Sequence, residues 1–269
     1  MSISFSRIMV PVDGSPQSIV AFRAATHFAK KLNAQLTALH IHENNKTAGE
    51  LHQTLNAENA GVDFHYLHRD GAVDKEIIAA SKESNTELIV MGTHGVSGFE
   101  EFWMGSNAYK IVNSSTCPVL SMREDAGINQ FKSIVLPIDT SFESRQKLPY
   151  AIKLAEVFGA TIHLLGVSTD KNKESEYKVN AYLRQTIEKL NGCHINSSHE
   201  KRLGGNITNQ TIRFAQEKKA DLIVIMTEQE LQIGSFFLGK YAQQMVNHSN
   251  IPVLSIPPRE DIMVTEARL

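Results

Sequence analysis

The chain carries one pattern twice, and this duplication limits its fold more than any other feature. Arg7-Ile8-Met9-Val10-Pro11-Val12-Asp13 recurs as Ser133-Ile134-Val135-Leu136-Pro137-Ile138-Asp139, and Ser15 is matched by Ser141. Ala34-Gln35-Leu36-Thr37-Ala38-Leu39 recurs as Ala160-Thr161-Ile162-His163-Leu164-Leu165, and Glu87-Leu88-Ile89-Val90 as Asp221-Leu222-Ile223-Val224. Cys117-Pro118-Val119-Leu120-Ser121-Met122 recurs as Ile251-Pro252-Val253-Leu254-Ser255-Ile256. The offset is 126 residues early in each copy and 134 later, so eight residues are inserted in the second copy, in the interval 168–194. A period this long marks a duplicated domain, not a solenoid. The expected domains are 1–124 and 131–258, divided by a polar segment that contains Gly127.

Within each copy, apolar runs rich in β-branched residues alternate with helical patterns. Ser15-Pro16 predicts a helix start, with serine as the cap and proline at the first position. Ala21, Ala25, Phe28 and Leu32 then share one helix face. Further helices are expected over 75–84 and from Ser106. Leu88-Ile89-Val90-Met91 is apolar without alternation, as in a parallel strand covered on both faces. The pattern predicts two tandem α/β domains of the doubly wound class. Ligands of such sheets sit at the carboxyl ends of strands where the strand order reverses. Here that crevice lies between the first and fourth strands, which end at Asp13 and Gly92.

The fourth strand runs into Met91-Gly92-Thr93-His94-Gly95-Val96-Ser97-Gly98, and Gly105-Ser106-Asn107 opens the next helix. Glycines at 92 and 95 allow backbone N–H groups to approach a ligand. The helix start adds unpaired N–H groups and a dipole that favour an anion. The spacing Gly-x2-Gly-x9-Gly-Ser fits neither the Walker loop nor the dinucleotide fingerprint. It resembles the ATP-binding loop of the universal stress protein family, and the resemblance covers nearly all of residues 5–123. It implies a five-stranded parallel sheet of order 3-2-1-4-5 in each domain, an adenine nucleotide alpha hydrolase-like fold, and ATP, ADP or AMP as ligand, with or without Mg²⁺. By the same resemblance, Pro11, Val12, Asp13 and Ile41 line the adenine and ribose pocket. Met91, Gly92, His94, Gly95, Gly105, Ser106 and Asn107 hold ribose and phosphates. Asp13 has a second reading, as an Asx residue that organises the turn before the helix. Gly71 matches a further turn of the family and is read as structural.

The second copy departs at these positions. Gly92 becomes Met226, His94 becomes Glu228, Gly95 becomes Gln229 and Ser106 becomes Lys240, while Gly105 persists as Gly239. Side chains replace open backbone, and acids enter a loop that should attract an anion. Lys240 is the cation expected to fill the vacant anion site or to pair with a glutamate of that loop. Pro149 is expected to bend or break the helix after Ser141. The second domain is therefore read as a degenerate copy.

Bulk properties narrow the remaining classes. The net charge of −2 shows no basic stripe for nucleic acid, and no apolar run reaches membrane-spanning length. The first strand pattern begins at Ile8 without a preceding apolar leader, so no signal peptide is expected. Cys117 and Cys193 fall in no metal spacing, which suits a reduced, cytoplasmic setting. His40, His42, His65 and His68 form no tight ligand motif and are read as surface or hydrogen-bonded histidines, with no metal site. The leading reading is a stress-response sensor that binds an adenine nucleotide in its first domain. The alternatives are a slow ATP hydrolase and a nucleotide-independent interaction scaffold. Hydrolysis needs an oriented water and stabilised phosphoryl charge; no residue is identified as the base for the water, and no Arg or Lys stands in the glycine loop to meet the γ-phosphate. The resemblance also implies pairing of the two domains as an internal pseudo-dimer through the strands at 119–122 and 253–256, or pairing of whole chains as a homodimer. The protein partner is left open.

Overall fold

Both copies follow the same alternation of strands and helices in the structure, a computed structural model that describes residues 3–42, 48–93, 106–125, 131–141, 143–227 and 239–258. The first copy runs β1 (Arg7–Val12), α1 (Pro16–Leu32), β2 (Gln35–His42), α2 (Ala48–Glu58), β3 (Phe64–Asp70), α3 (Val73–Glu83), β4 (Leu88–Gly92), α4 (Ser106–Ser114) and β5 (Val119–Met122). The second runs β6 (Ser133–Ile138), a 3-10 turn (Glu143–Arg145), α5 (Leu148–Phe158), β7 (Thr161–Ser168), α6 (Lys173–Gly192), β8 (Ser197–Leu203), α7 (Ile207–Glu217), β9 (Leu222–Met226), α8 (Lys240–His248) and β10 (Val253–Ile256).

In the first copy the strands are parallel in the order β3-β2-β1-β4-β5. The second repeats this order as β8-β7-β6-β9-β10, with β6, β7, β8 and β9 paired in parallel. The order reverses beside β1 and β6, as in doubly wound sheets. The strands next to that point carry runs of almost fully buried residues: Ile8, Met9, Val10, Ile89 and Val90 in one copy, Ile134, Val135, Leu136, Ile223 and Val224 in the other.

Matched local devices hold the two copies in the same shape. The Glu87 carboxylate accepts from the Ser6 N–H and the Arg7 guanidinium, and Asp221 accepts from the Lys132 and Ser133 N–H groups. Ser115 Oγ donates to the Cys117 carbonyl and Ser249 Oγ to the Ile251 carbonyl, both at 2.7 Å, fixing the turn before each final strand. Thr93, after β4, donates its N–H to Met122 O at 2.8 Å, and Thr227, after β9, donates to Ile256 O at 2.9 Å.

Two differences matter for function. Helix α6 has 20 residues and α2 has 11, which places the insertion in that helix. Helix α1 has 17 residues and α5 has 11, although both end in a left-handed cap, Asn33 (φ 51°) and Gly159 (φ 62°). The start of the helix is what the second copy has lost. Pro149 does not break a running helix. It sits in the first turn of α5, where a missing N–H costs no hydrogen bond.

The chain folds into two compact units. One comprises Ser4–Ile128 with Val246–Leu254, and the other is built on Asn129–Met245 and resumes at Ser255. Arg123, just past β5, donates to Asn250 Oδ1 at 2.7 Å and to the Asn247 carbonyl at 2.5 Å within the first of these. No described helix is long and apolar enough to cross a membrane.

Candidate functional site

The first crevice forms where β1 and β4 end. Val12 is buried at the end of β1, Pro11 beside it is half-buried, and Asp13 emerges exposed. Ser15 caps α1, accepting from the Ser18 N–H, with Pro16 at the first helical position. Asp13 Oδ1 accepts from the Ser15 N–H at 2.9 Å, and the Asp13 N–H donates to Ser18 Oγ at 3.3 Å. Partial enclosure in this loop pushes the Asp13 carboxyl up. The hydrogen bonds from Ser15 and Ser18 outweigh it and hold the pKa below the usual carboxylate value. The residue is therefore both an Asx-type organiser of the turn and an ionised carboxylate open to solvent.

Ile41 is the penultimate residue of β2, on the other side of β1 from β4, 9% exposed and paired in register with Arg69. Met91 is buried and Gly92 half-buried at the end of β4, in register with Ser121 and Met122. Asn107 is half-buried in the first turn of α4, which holds no acidic residue to oppose an anion. Ser106 starts that helix through its backbone. His94, Gly95 and Gly105 lie outside the described residues. The structure thus brings Pro11, Val12, Asp13 and the end of β4 to one sheet edge, with Ile41 one strand away.

Gly92 has a packing role that glycine spacing alone does not show. A Cβ there meets the Gln17 carbonyl oxygen at 2.5 Å and carbon at 2.6 Å, so β4 touches the backbone of the first turn of α1. Gly92 admits the helix start to the crevice wall, where Asp13, Ser15 and Ser18 are set.

At the described positions of the second copy, buried side chains stand where the first has open or exposed ones. Met226 replaces Gly92 and is fully buried. A helix cannot approach a methionine as it approaches a glycine, and the 3-10 turn takes the place of the first turns of α1, packed against β6 and β9. Pro137 is buried where Pro11 is half-buried. Gly166 stands where the first copy has His40, and a Cβ there falls 2.6 Å from Val179 and 2.7 Å from Leu183 of α6. The enlarged helix therefore lies directly on β7. Asp139 keeps the turn of Asp13, accepting from the Ser141 N–H at 2.7 Å and Oγ at 2.6 Å, but it is 6% exposed.

The buried cation of the second copy is Lys147, while the glutamates expected to pair with Lys240 lie outside the described residues. Lys240 is exposed at the start of α8, whereas Lys147 is fully buried and donates to the Ser144 carbonyl. Burial lowers its pKa to about 8, against the opposing pull of the Asp139 charge. Tyr241, the counterpart of Asn107, completes the set. Enclosure of its hydroxyl raises its pKa, the Thr211 hydroxyl 3.4 Å away opposes that, and the Asp139 charge adds to it. Offset matching was able to find Lys147 and Tyr241, since they align with Ala21 and Asn107. The burial of Lys147 was not legible, because it depends on where the shortened helix begins.

Described histidines near β2 and β3 are hydrogen-bonded or stacked. His40 Nδ1 lies 3.0 Å from Tyr66 OH, and the His52 ring stacks on Tyr66 at 4.8 Å. Among the described residues, no group of three His, Cys, Asp or Glu side chains is placed to hold a metal ion.

Comparison with known proteins agrees with this geometry. The sequence model of the universal stress protein family matches residues 4–52, 43–123 and 130–257. The universal stress protein YxiE of Bacillus subtilis is 30% identical over 147 residues, covering 44% of this chain and 99% of its own. A universal stress protein of Methanocaldococcus jannaschii is 28% identical over 141 residues, covering 45% of this chain and 83% of its own. The crystal structure of a universal stress protein from Archaeoglobus fulgidus superposes with a TM-score of 0.75 at 21% identity, covering 97% of this chain and 99% of that one. With its duplicated 3-2-1-4-5 sheet and with family matches that run through both copies, this chain belongs to the universal stress protein family.

Proposed function

We propose that the protein is a stress-response regulator whose first copy binds ATP, or ADP or AMP in the same crevice, while the second copy binds no nucleotide. The observation that carries this reading is the contrast between two aligned carboxylates. Asp13 is exposed and held ionised, whereas Asp139 is 6% exposed and acts electrostatically on a fully buried lysine, Lys147. An exposed carboxylate at a strand end suits ribose hydroxyls, and a helix start without acids suits phosphate. Mg²⁺ accompanies a bound triphosphate in this reading, and the proposed setting is the cytoplasm.

Asp13→Asn tests the site while keeping an Oδ1 acceptor for the Ser15 turn. Replacing a charged acceptor by a neutral one removes about 1–1.5 kcal/mol, or about tenfold in affinity. Equilibrium dialysis with labelled ATP should show that loss, with a free protein that stays folded and melts only slightly lower, since the ionised carboxylate's favourable hydrogen bonds in the turn are weakened. Unchanged affinity removes Asp13 from the site.

A further inference from the structure

We propose that Lys147 is a resident cation that occupies the second crevice in place of a ligand and neutralises the Asp139 carboxylate enclosed there. The inference deepens the reading of the second copy as non-binding, by naming what fills it. Three observations meet on this residue. Lys147 is among the largest fully buried side chains, and an ammonium without counter-charge is expensive to bury. Its hydrogen bond to the Ser144 carbonyl fastens it to the 3-10 turn that replaces the start of α1. Asp139, which acts on it electrostatically, is itself buried, with its Oδ1 engaged by the Ser141 turn.

The first copy provides the internal control. Ala21 occupies the aligned position, inside an α1 that starts at Pro16, and Asp13 stays exposed. Changing glycine to methionine at the end of the fourth strand displaces the helix start, and the displaced segment carries Lys147 inward. Tyr241 stands in place of Asn107, its hydroxyl enclosed beside Thr211 and also within the influence of Asp139. The charge that a ligand's partners would meet in the first crevice is met in the second by the chain itself.

The test needs no nucleotide, so its outcome is independent of whether the first copy binds one. The full chain is acetylated at pH 8.5 with an amine-reactive ester, and each lysine is quantified by mass spectrometry. An accessible lysine with a lowered pKa would be the fastest to react. A buried one reacts only through local opening, so Lys147 should label about 100-fold more slowly than exposed Lys240. Labelling at the rate of Lys240 or faster overturns the proposal. The pairing is tested by a double-mutant cycle with Lys147→Met and Asp139→Asn. Each single change should lower the melting temperature, and the double variant should lie above the sum of the two losses. Strictly additive losses overturn the pairing. If a single variant fails to fold, the labelling of the unaltered protein still decides.

Discussion

Gly92→Ala should destabilise the first unit by about 2–3 kcal/mol, the range expected for forced overpacking. The added Cβ meets main-chain atoms, Gln17 O at 2.5 Å and Gln17 C at 2.6 Å, so no rotamer change relieves it. Gly92 does not adopt a positive φ, so the cost is steric and not conformational. Helix α1 must retreat from β4, and the turn of Asp13, Ser15 and Ser18 must retreat with it. Urea unfolding should show a lower midpoint at unchanged slope. An unchanged midpoint would mean that the packing of α1 on β4 is slack.

Lys147 should make stability rise with pH in a window set by its two pKa values. Its folded value of about 8 lies below the ordinary 10.5. Below pH 8 both states hold the proton, and the penalty of burying an ammonium is felt in full. Between about 8 and 10.5 only the unfolded state holds it, so the unfolded state binds more protons and stability increases. The gain from this group is about 3 kcal/mol across the window. Groups with raised values oppose it: the buried Cys117 thiol above about pH 9, and Tyr241, which also faces Asp139, above about pH 10. The difference between wild type and Lys147→Met isolates the lysine, since both proteins keep those groups. Urea unfolding at pH 7.5 and pH 10 should show the difference moving in favour of the wild type as pH rises. Parallel profiles would place Lys147 in water.

The duplicated sheet was readable because its signals are local and repeated. Unbroken apolar runs marked β4 and β9, and the Ser15-Pro16 cap marked the start of α1. The insertion was readable as an offset change, and α6 holds it. What was not readable depended on distance between elements. Glycine spacing suggested a ligand role for Gly92, and only the approach of Gln17 reveals its packing role. The substitution of Met226 showed that the second loop was altered. It did not show that the helix would start at Leu148, nor that Lys147 would be drawn inside. A lysine in sequence reads as a solvated residue, and Lys240, the more prominent candidate by alignment, is exposed.

Isothermal titration of the full chain with ATP tests the central claim of one open and one self-filled crevice most directly. The wild type should bind one nucleotide per chain. Gly95→Gln, which adds a side chain at a loop glycine of the proposed site, should bind none. Two equivalent sites per chain, or full binding by Gly95→Gln, would contradict the asymmetry between the copies.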